Sequence, residues 1–153
     1  MEGRMGRDAE LPVFKKAVAY RLNSASSIDS IVNEAMKLSK GNDFVLILKG
    51  SREIERRMLP AYVSAAIRQA DCSMHSRSLA IETLLFIAGT MNISNAVERV
   101  RPAGGEFIVF STDERCAQSL FSRFRIRRPK KCRLELDPIV TSDVALTAIR
   151  EDK

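Results

Sequence analysis

Residues 74–96 read Met-His-Ser-Arg-Ser-Leu-Ala-Ile-Glu-Thr-Leu-Leu-Phe-Ile-Ala-Gly-Thr-Met-Asn-Ile-Ser-Asn-Ala. The run from Leu79 to Ala88 is apolar on nearly every side, which marks a helix buried all round. Gly89 stops it, and Asn92 is placed to cap a second helix carrying Ile93, Ala96, Val97 and Val100. A buried helix, a tight break and a newly capped helix within so few residues form a rigid surface, better suited to recognition than to chemistry. One carboxylate, Glu82, interrupts the apolar run. It needs donors to replace lost water: Arg77, a nearby backbone N–H, or a solvated position near the helix start.

The flanking segments predict an alternation of strands and helices. Ala17–Leu22 reads as a strand. Ile28, Ile31, Val32, Ala35 and Leu38 line one face of a helix capped by Ser26 or Ser27, with Gly41 as its left-handed stop. Phe44–Leu48 is a short apolar run of the kind found in strands covered on both faces. Pro60 is placed as the first residue of a helix lined by Val63, Ala66, Ile67, Ala70 and Met74. Glu106–Phe110 reads as a strand, and Thr112 or Asp113 caps a helix whose apolar face is Ala117, Leu120, Phe121 and Phe124. Cys132, Leu134 and Leu136 alternate as in an edge strand, and Ser142 or Asp143 opens a short terminal helix. This order argues a single α/β domain, with a small mixed sheet packed against several helices, over residues 15–153. Residues 1–14 read as a flexible lead.

Composition narrows the function classes. The chain has 153 residues, 45% apolar, enough for one domain with a core. No apolar run is long enough to span a bilayer, and the first residues carry no signal-like apolar stretch. The three cysteines, Cys72, Cys116 and Cys132, are far apart; they suit a reducing, cytoplasmic compartment rather than a disulfide framework or zinc site. The lone histidine, His75, has no companion ligands at metal-site spacing. Phosphate-loop, dinucleotide and serine-hydrolase motifs do not occur. No catalytic constellation, metal, cofactor, membrane or small-molecule substrate is implied.

The charge is concentrated. Arg123–Arg133 reads RFRIRRPKKCR, with seven basic residues; the 25 Lys and Arg less these seven leave 18 against 19 acidic residues, a balance of −1. The whole positive excess therefore sits in one segment, as either a solvated turn or a polyanion-binding element.

Met74-x-x-Arg77-Ser78-Leu79-x-x-Glu82, an apolar stretch, and Asn92-Ile93-Ser94-x-Ala96 together resemble the hallmark of the small kinase-binding subunit of the KEOPS complex, a family that includes the PRPK-binding protein of animals. The resemblance covers about residues 17–150. It implies a non-catalytic subunit that supports a small atypical kinase acting as an ATPase, and that helps bring tRNA, through its unpaired acceptor end, to a complex installing threonylcarbamoyl on adenosine. By this resemblance Met74, Leu79, Asn92 and Ile93 are candidate kinase-binding residues. Arg77, Arg123, Arg125, Arg127, Arg128, Lys130 and Lys131 are candidate tRNA-binding residues. Arg77 has a competing role as the partner of Glu82, Ile93 as a core residue packing on Leu79, and Phe124 as the last core residue of its helix rather than a base-stacking surface. The chain departs from the family where Asn95 replaces an acidic residue, where Val100-Arg101-Pro102 displaces a glycine, and where many relatives continue with one more helix. The alternative is a free-standing RNA-binding protein whose basic segment is the whole function.

Overall fold

The fold is described from a computed structural model covering residues 16–24, 26–102 and 105–151; the lead expected over 1–14 lies outside them. Strands β1 (Val18–Leu22), β2 (Val45–Lys49), β3 (Phe107–Ser111) and β4 (Lys130–Lys131) alternate with helices α1 (Ile28–Leu38), α2 (Arg52–Ala70), α3 (Leu79–Ala88), α4 (Ile93–Val100), α5 (Glu114–Arg123) and α6 (Pro138–Glu151). They form one α/β domain, as the sequence predicts.

The sheet runs in the order β2-β3-β1-β4. Every pairing is antiparallel, so the sheet is not mixed as expected. Element order alone does not set strand direction; here β2 and β1 both run against the fully buried central strand β3.

Alternation along each strand sends side chains into two separate cores. One face contributes Ala19, Phe44, Leu48, Ile108 and Phe110, covered by α2, α3, α4 and α6 through Met58, Tyr62, Leu85, Phe86, Ala96 and Val144. The other contributes Val18, Tyr20, Val45, Phe107 and Val109, covered by α1 and α5 through Ile31, Ala35, Leu120 and Phe121. Both faces of β2 are therefore covered, as its composition predicts. In the first core Phe44, Tyr62 and Phe110 meet with centroids 5.8–6.2 Å apart, contacts worth about 0.5–1.5 kcal/mol each beyond area burial. At the β2–α2 junction the backbone comes so close to β3 that a Cβ on Gly50 would lie 2.5 Å from the Glu106 carbonyl oxygen. Only glycine fits there.

Helix boundaries follow local capping. Ser27 Oγ accepts from Ser30 N–H, Ser78 Oγ from Ile81 N–H, Asn92 Oδ1 from Asn95 N–H and Asp113 Oδ1 from Cys116 N–H. Four expectations need correction. Pro60 lies inside α2, which begins at the Ser51 cap with Glu53 and Glu55 in its first turn. An interior proline costs about 3 kcal/mol, offset here by burial of Met58, Ala61, Tyr62 and Ala65 along the same helix. α6 begins at Pro138, because Asp137 Oδ1 accepts from Ile139 N–H and proline suits the first helical position. Gly41 does not end α1; Ser39 is its C-cap, and Gly41, at φ +61°, sits in the two-residue turn joining Lys40 to Asp43. The expected strand over Cys132–Leu136 is reduced to β4 at Lys130–Lys131. Cys132 N–H still donates to Ala19 C=O, and Cys132 and Leu134 rest half-buried on the first core.

Candidate functional site

The segment linking α2 to α3 is built around Glu82, which is fully buried. The α2 end is a left-handed turn at Cys72 (φ +56°), with Ser73 N–H reaching back to Arg68 C=O and Cys72 N–H to Gln69 C=O. Cys72 is thus exposed and just past the helix rather than on it. The chain then folds over the Glu82 carboxylate. His75 N–H donates to both oxygens at 3.0 and 3.1 Å, Ser76 N–H donates at 3.0 Å, and the Ser76 hydroxyl lies 3.1 Å away. Arg68 Nε stands 3.3 Å from Oε2 without a hydrogen-bonding angle, so that contact is coulombic. Arg68 Nη2 donates to His75 Nδ1 at 3.0 Å, which fixes that nitrogen as an acceptor. Of the donors expected for Glu82, backbone N–H groups are found and Arg77 is not. Arg77 is exposed and, among the described residues, has no ion-pair partner.

At the other end of α3, Gly89 adopts φ +76° and its N–H closes on Leu85 C=O. Two guanidinium groups satisfy the last carbonyls. Arg57 donates to Ile87 and Phe86 C=O, both at 2.9 Å, and to Asp143 Oδ2 of α6 at 2.8 Å; Arg99 of α4 donates to Ala88 and Gly89 C=O at 3.1 and 3.3 Å. Cations at this end also complement the helix dipole. The chain turns by 67° from α3 to α4.

These interactions determine what the hallmark residues offer a partner. Leu79 is a core residue, and Met74 is half-buried. The Asn92 side chain is engaged as a cap. Ile93 does not pack into the core: it is 50% exposed, and Val97, one turn on along the same face of α4, is 46% exposed. Val97 belongs to the apolar set that the sequence assigns to this helix, and its i,i+4 spacing from Ile93 is the signal that places the two together.

The basic segment leaves α5 through a second left-handed turn. Phe124 caps the helix, Arg125 has φ +54°, and Ile126 N–H returns to Phe121 C=O at 2.9 Å. Phe124 and Ile126, both half-buried, pack against the second core, so Phe124 serves as the last apolar residue of its helix. Arg128 also has φ +55°. Arg123, Arg125, Arg127, Arg128, Lys130 and Lys131 are all exposed. Arg123 is loosely paired with Glu34 at 4.0 Å, and the neighbouring Arg133 with Glu135 at 3.1 Å. Among the described residues the other five have no ion-pair partner. Non-glycine residues seldom adopt positive φ, yet two arginines do so within this loop.

Next to it, Tyr20 OH donates to Glu114; this hydrogen bond, helped by Gln118 and the Lys131 charge, outweighs burial, which acts the other way, and holds the Glu114 carboxyl below its usual range. Burial pushes the Tyr20 hydroxyl up to about 12 and the Cys116 and Cys132 thiols up to about 11. Those thiols stay protonated at neutral pH and are poor nucleophiles. Among the described residues no cluster of three or more His, Cys, Asp or Glu side chains could hold a metal ion, and no single helix is long and apolar enough to cross a membrane.

Fold and surface together define a small three-layer α/β domain with an apolar pair on one helix and an unpaired cationic loop at the far end of another. No protein-family model matches the chain, and no curated protein matches it.

Proposed function

We propose that this protein is a non-catalytic adaptor of the KEOPS type, which holds a small kinase-like ATPase through α4 and contacts tRNA through the 123–131 loop. The observation that supports it most is how the hallmark residues are used. Ser78, Glu82 and Asn92 are engaged in caps and in anchoring the 72–78 loop, which leaves Ile93 and Val97 as an apolar pair on a rigid helix. Such a pair suits a hydrophobic anchor for a protein partner. Five cations without ion-pair partners, three on the loop and two on β4, suit sequence-independent phosphate contacts. A cytoplasmic setting follows from that role.

The test is co-purification with the cognate kinase. The wild-type chain forms an equimolar complex, Ile93→Asp abolishes it, and Arg127→Glu/Arg128→Glu/Lys130→Glu leaves it intact while weakening tRNA binding. Failure of the wild-type chain to hold the kinase refutes the adaptor reading. Retained tRNA binding in that case favours a free-standing RNA-binding protein, the reading that the cationic loop alone supports.

A further inference from the structure

α2 is longer than the strand it folds back along. Its 19 residues rise about 28 Å, against about 17 Å for the five of β2. Tyr62, midway along the helix, meets Phe44 just before β2, so the turns after Tyr62 run past the end of the sheet. There Gln69 Nε2 donates to Asn42 Oδ1 at 2.8 Å. Between these elements lies a groove of about 500 Å³, lined by Tyr62, Val63, Ala66, Ile67 and Ala70, with Asp43 on its rim. Ile67 is 55% exposed in it. The chain enters β1 at this same end of the sheet. Val18 and Val45 both lie opposite Ser111, and Ala17 packs in the same core as Phe44 and Tyr62. Thr112, bonded to Phe44, follows Ser111 between them. Two strand spacings put Ala17 about 10 Å from Phe44 and the groove.

We propose that residues 11–15 of the same chain fill this groove, as a strap that lays Leu11, Val13 and Phe14 against α2. Leu11-Pro12-Val13-Phe14 is the longest apolar run before β1. Phe14 stands three residues before Ala17, and three extended residues span about 10 Å, the distance to the groove. Leu11, three residues further back, reaches the level of Ile67 and Ala70. The strap covers the exposed Ile67 side chain with apolar atoms, which is the favourable term. Pro12 has no backbone N–H to bury there. Lys15, directly after Phe14, comes beside the exposed Asp43 carboxylate. The tether decides between this occupant and a separate one. A segment joined to the groove by so few residues is present at an effective concentration in the millimolar range, which a second copy or another protein has to exceed. Neither α4 nor the 123–131 loop takes part, so the strap is independent of the kinase and tRNA reading.

The test is solution NMR of the full chain, reading nuclear Overhauser contacts from the Phe14 ring, repeated on an equal mixture of isotope-labelled and unlabelled chains. Contacts from Phe14 to the Ile67 methyls are expected within one chain. Ile67→Asp, at an exposed position, moves the Phe14 ring resonances to those of a solvated ring. Phe14→Ala lowers Tm by at least about 4 °C, and combining it with Ile67→Asp costs less than the sum of the two. Absence of any contact between Phe14 and α2 overturns the proposal and leaves the groove to a separate partner. Contacts found only between labelled and unlabelled chains overturn it in favour of a second copy. A Tm for Phe14→Ala within about 1 °C of wild type, or strict additivity with Ile67→Asp, also overturns it. Should a variant fail to fold, the contacts in the wild-type chain decide.

Discussion

Glu82→Ala tests the account of the α2–α3 connection directly. The substitution removes a fully buried carboxylate that receives two backbone N–H groups and a hydroxyl, with a guanidinium at 3.3 Å. Losing one partner of a buried charged network costs about 3–5 kcal/mol, because the remaining groups stay buried without a counterpart. Arg68 retains Ser73 C=O and His75 Nδ1 as acceptors, so the lower end, about 3 kcal/mol, is expected. For a chain of this size that is a fall in Tm of about 6–12 °C, out of a total stability of about 5–15 kcal/mol. Glu82→Gln keeps the shape and one acceptor oxygen but turns an amide NH₂ toward N–H donors; it falls between wild type and Glu82→Ala. The assay is thermal unfolding followed by circular dichroism, with limited proteolysis of the 72–78 loop under native conditions. A Tm change below about 2 °C for Glu82→Ala, or no gain in loop cleavage, refutes the claim that this carboxylate organises the connection.

Other perturbations separate stability from binding. Arg125→Gly relieves a left-handed arginine at a helix C-terminus and raises stability by about 1 kcal/mol while lowering tRNA affinity; denaturant titration and filter binding read the two effects. Five cations without ion-pair partners predict that log K for a single-stranded RNA end falls with log salt at a slope of about −3.5, and Lys130→Ala makes it shallower by about one contact. Ile93→Asp lowers kinase affinity by at least about thirty-fold, as expected for a hydrophobic anchor, with Tm nearly unchanged because half of that side chain is already in water. The Asp113 carboxyl is held below its usual value of 3.8, first by the Cys116 backbone N–H it caps. A depressed folded value contributes stability above the unfolded value and loses it as pH falls through the folded one. Asp113→Asn, which keeps the cap, therefore flattens the acid limb below about pH 4 and leaves neutral stability nearly unchanged.

Elements whose signals are local could be read directly. The Ser27 and Asn92 caps, the Gly89 stop, the buried α3 and the β3 strand all rest on residues within one or two turns of each other. What escaped depends on distance or competition. The donors to Glu82 come from a loop whose path is set by the left-handed turn at Cys72 and by Arg68 on another helix. Pro60 carries a strong signal for a helix start, yet the Ser51 cap and the buried residues on both sides of it outweighed that signal. Asp137-Pro138 is itself a helix-start signal, and it prevails over the one at Ser142 or Asp143. Cys132 and Leu134 alternate as a strand does, but only the preceding lysines reach a ladder. On the surface, the cationic segment was plain from composition. Its two left-handed arginines, and the exposure of Val97 beside Ile93, needed coordinates.

The two guanidinium groups at the end of α3 have a mechanical consequence. Arg57 grips the final carbonyls of α3 with two of its nitrogens and Asp143 of α6 with the third, and Arg99 fastens α4 to the next two carbonyls. Four helices, α2, α3, α4 and α6, thus share one hub at the bend. Removing Arg57 would untie α6 from this hub and strip the Phe86 and Ile87 carbonyls of their side-chain donor, while Arg99 would still hold α4 to the bend.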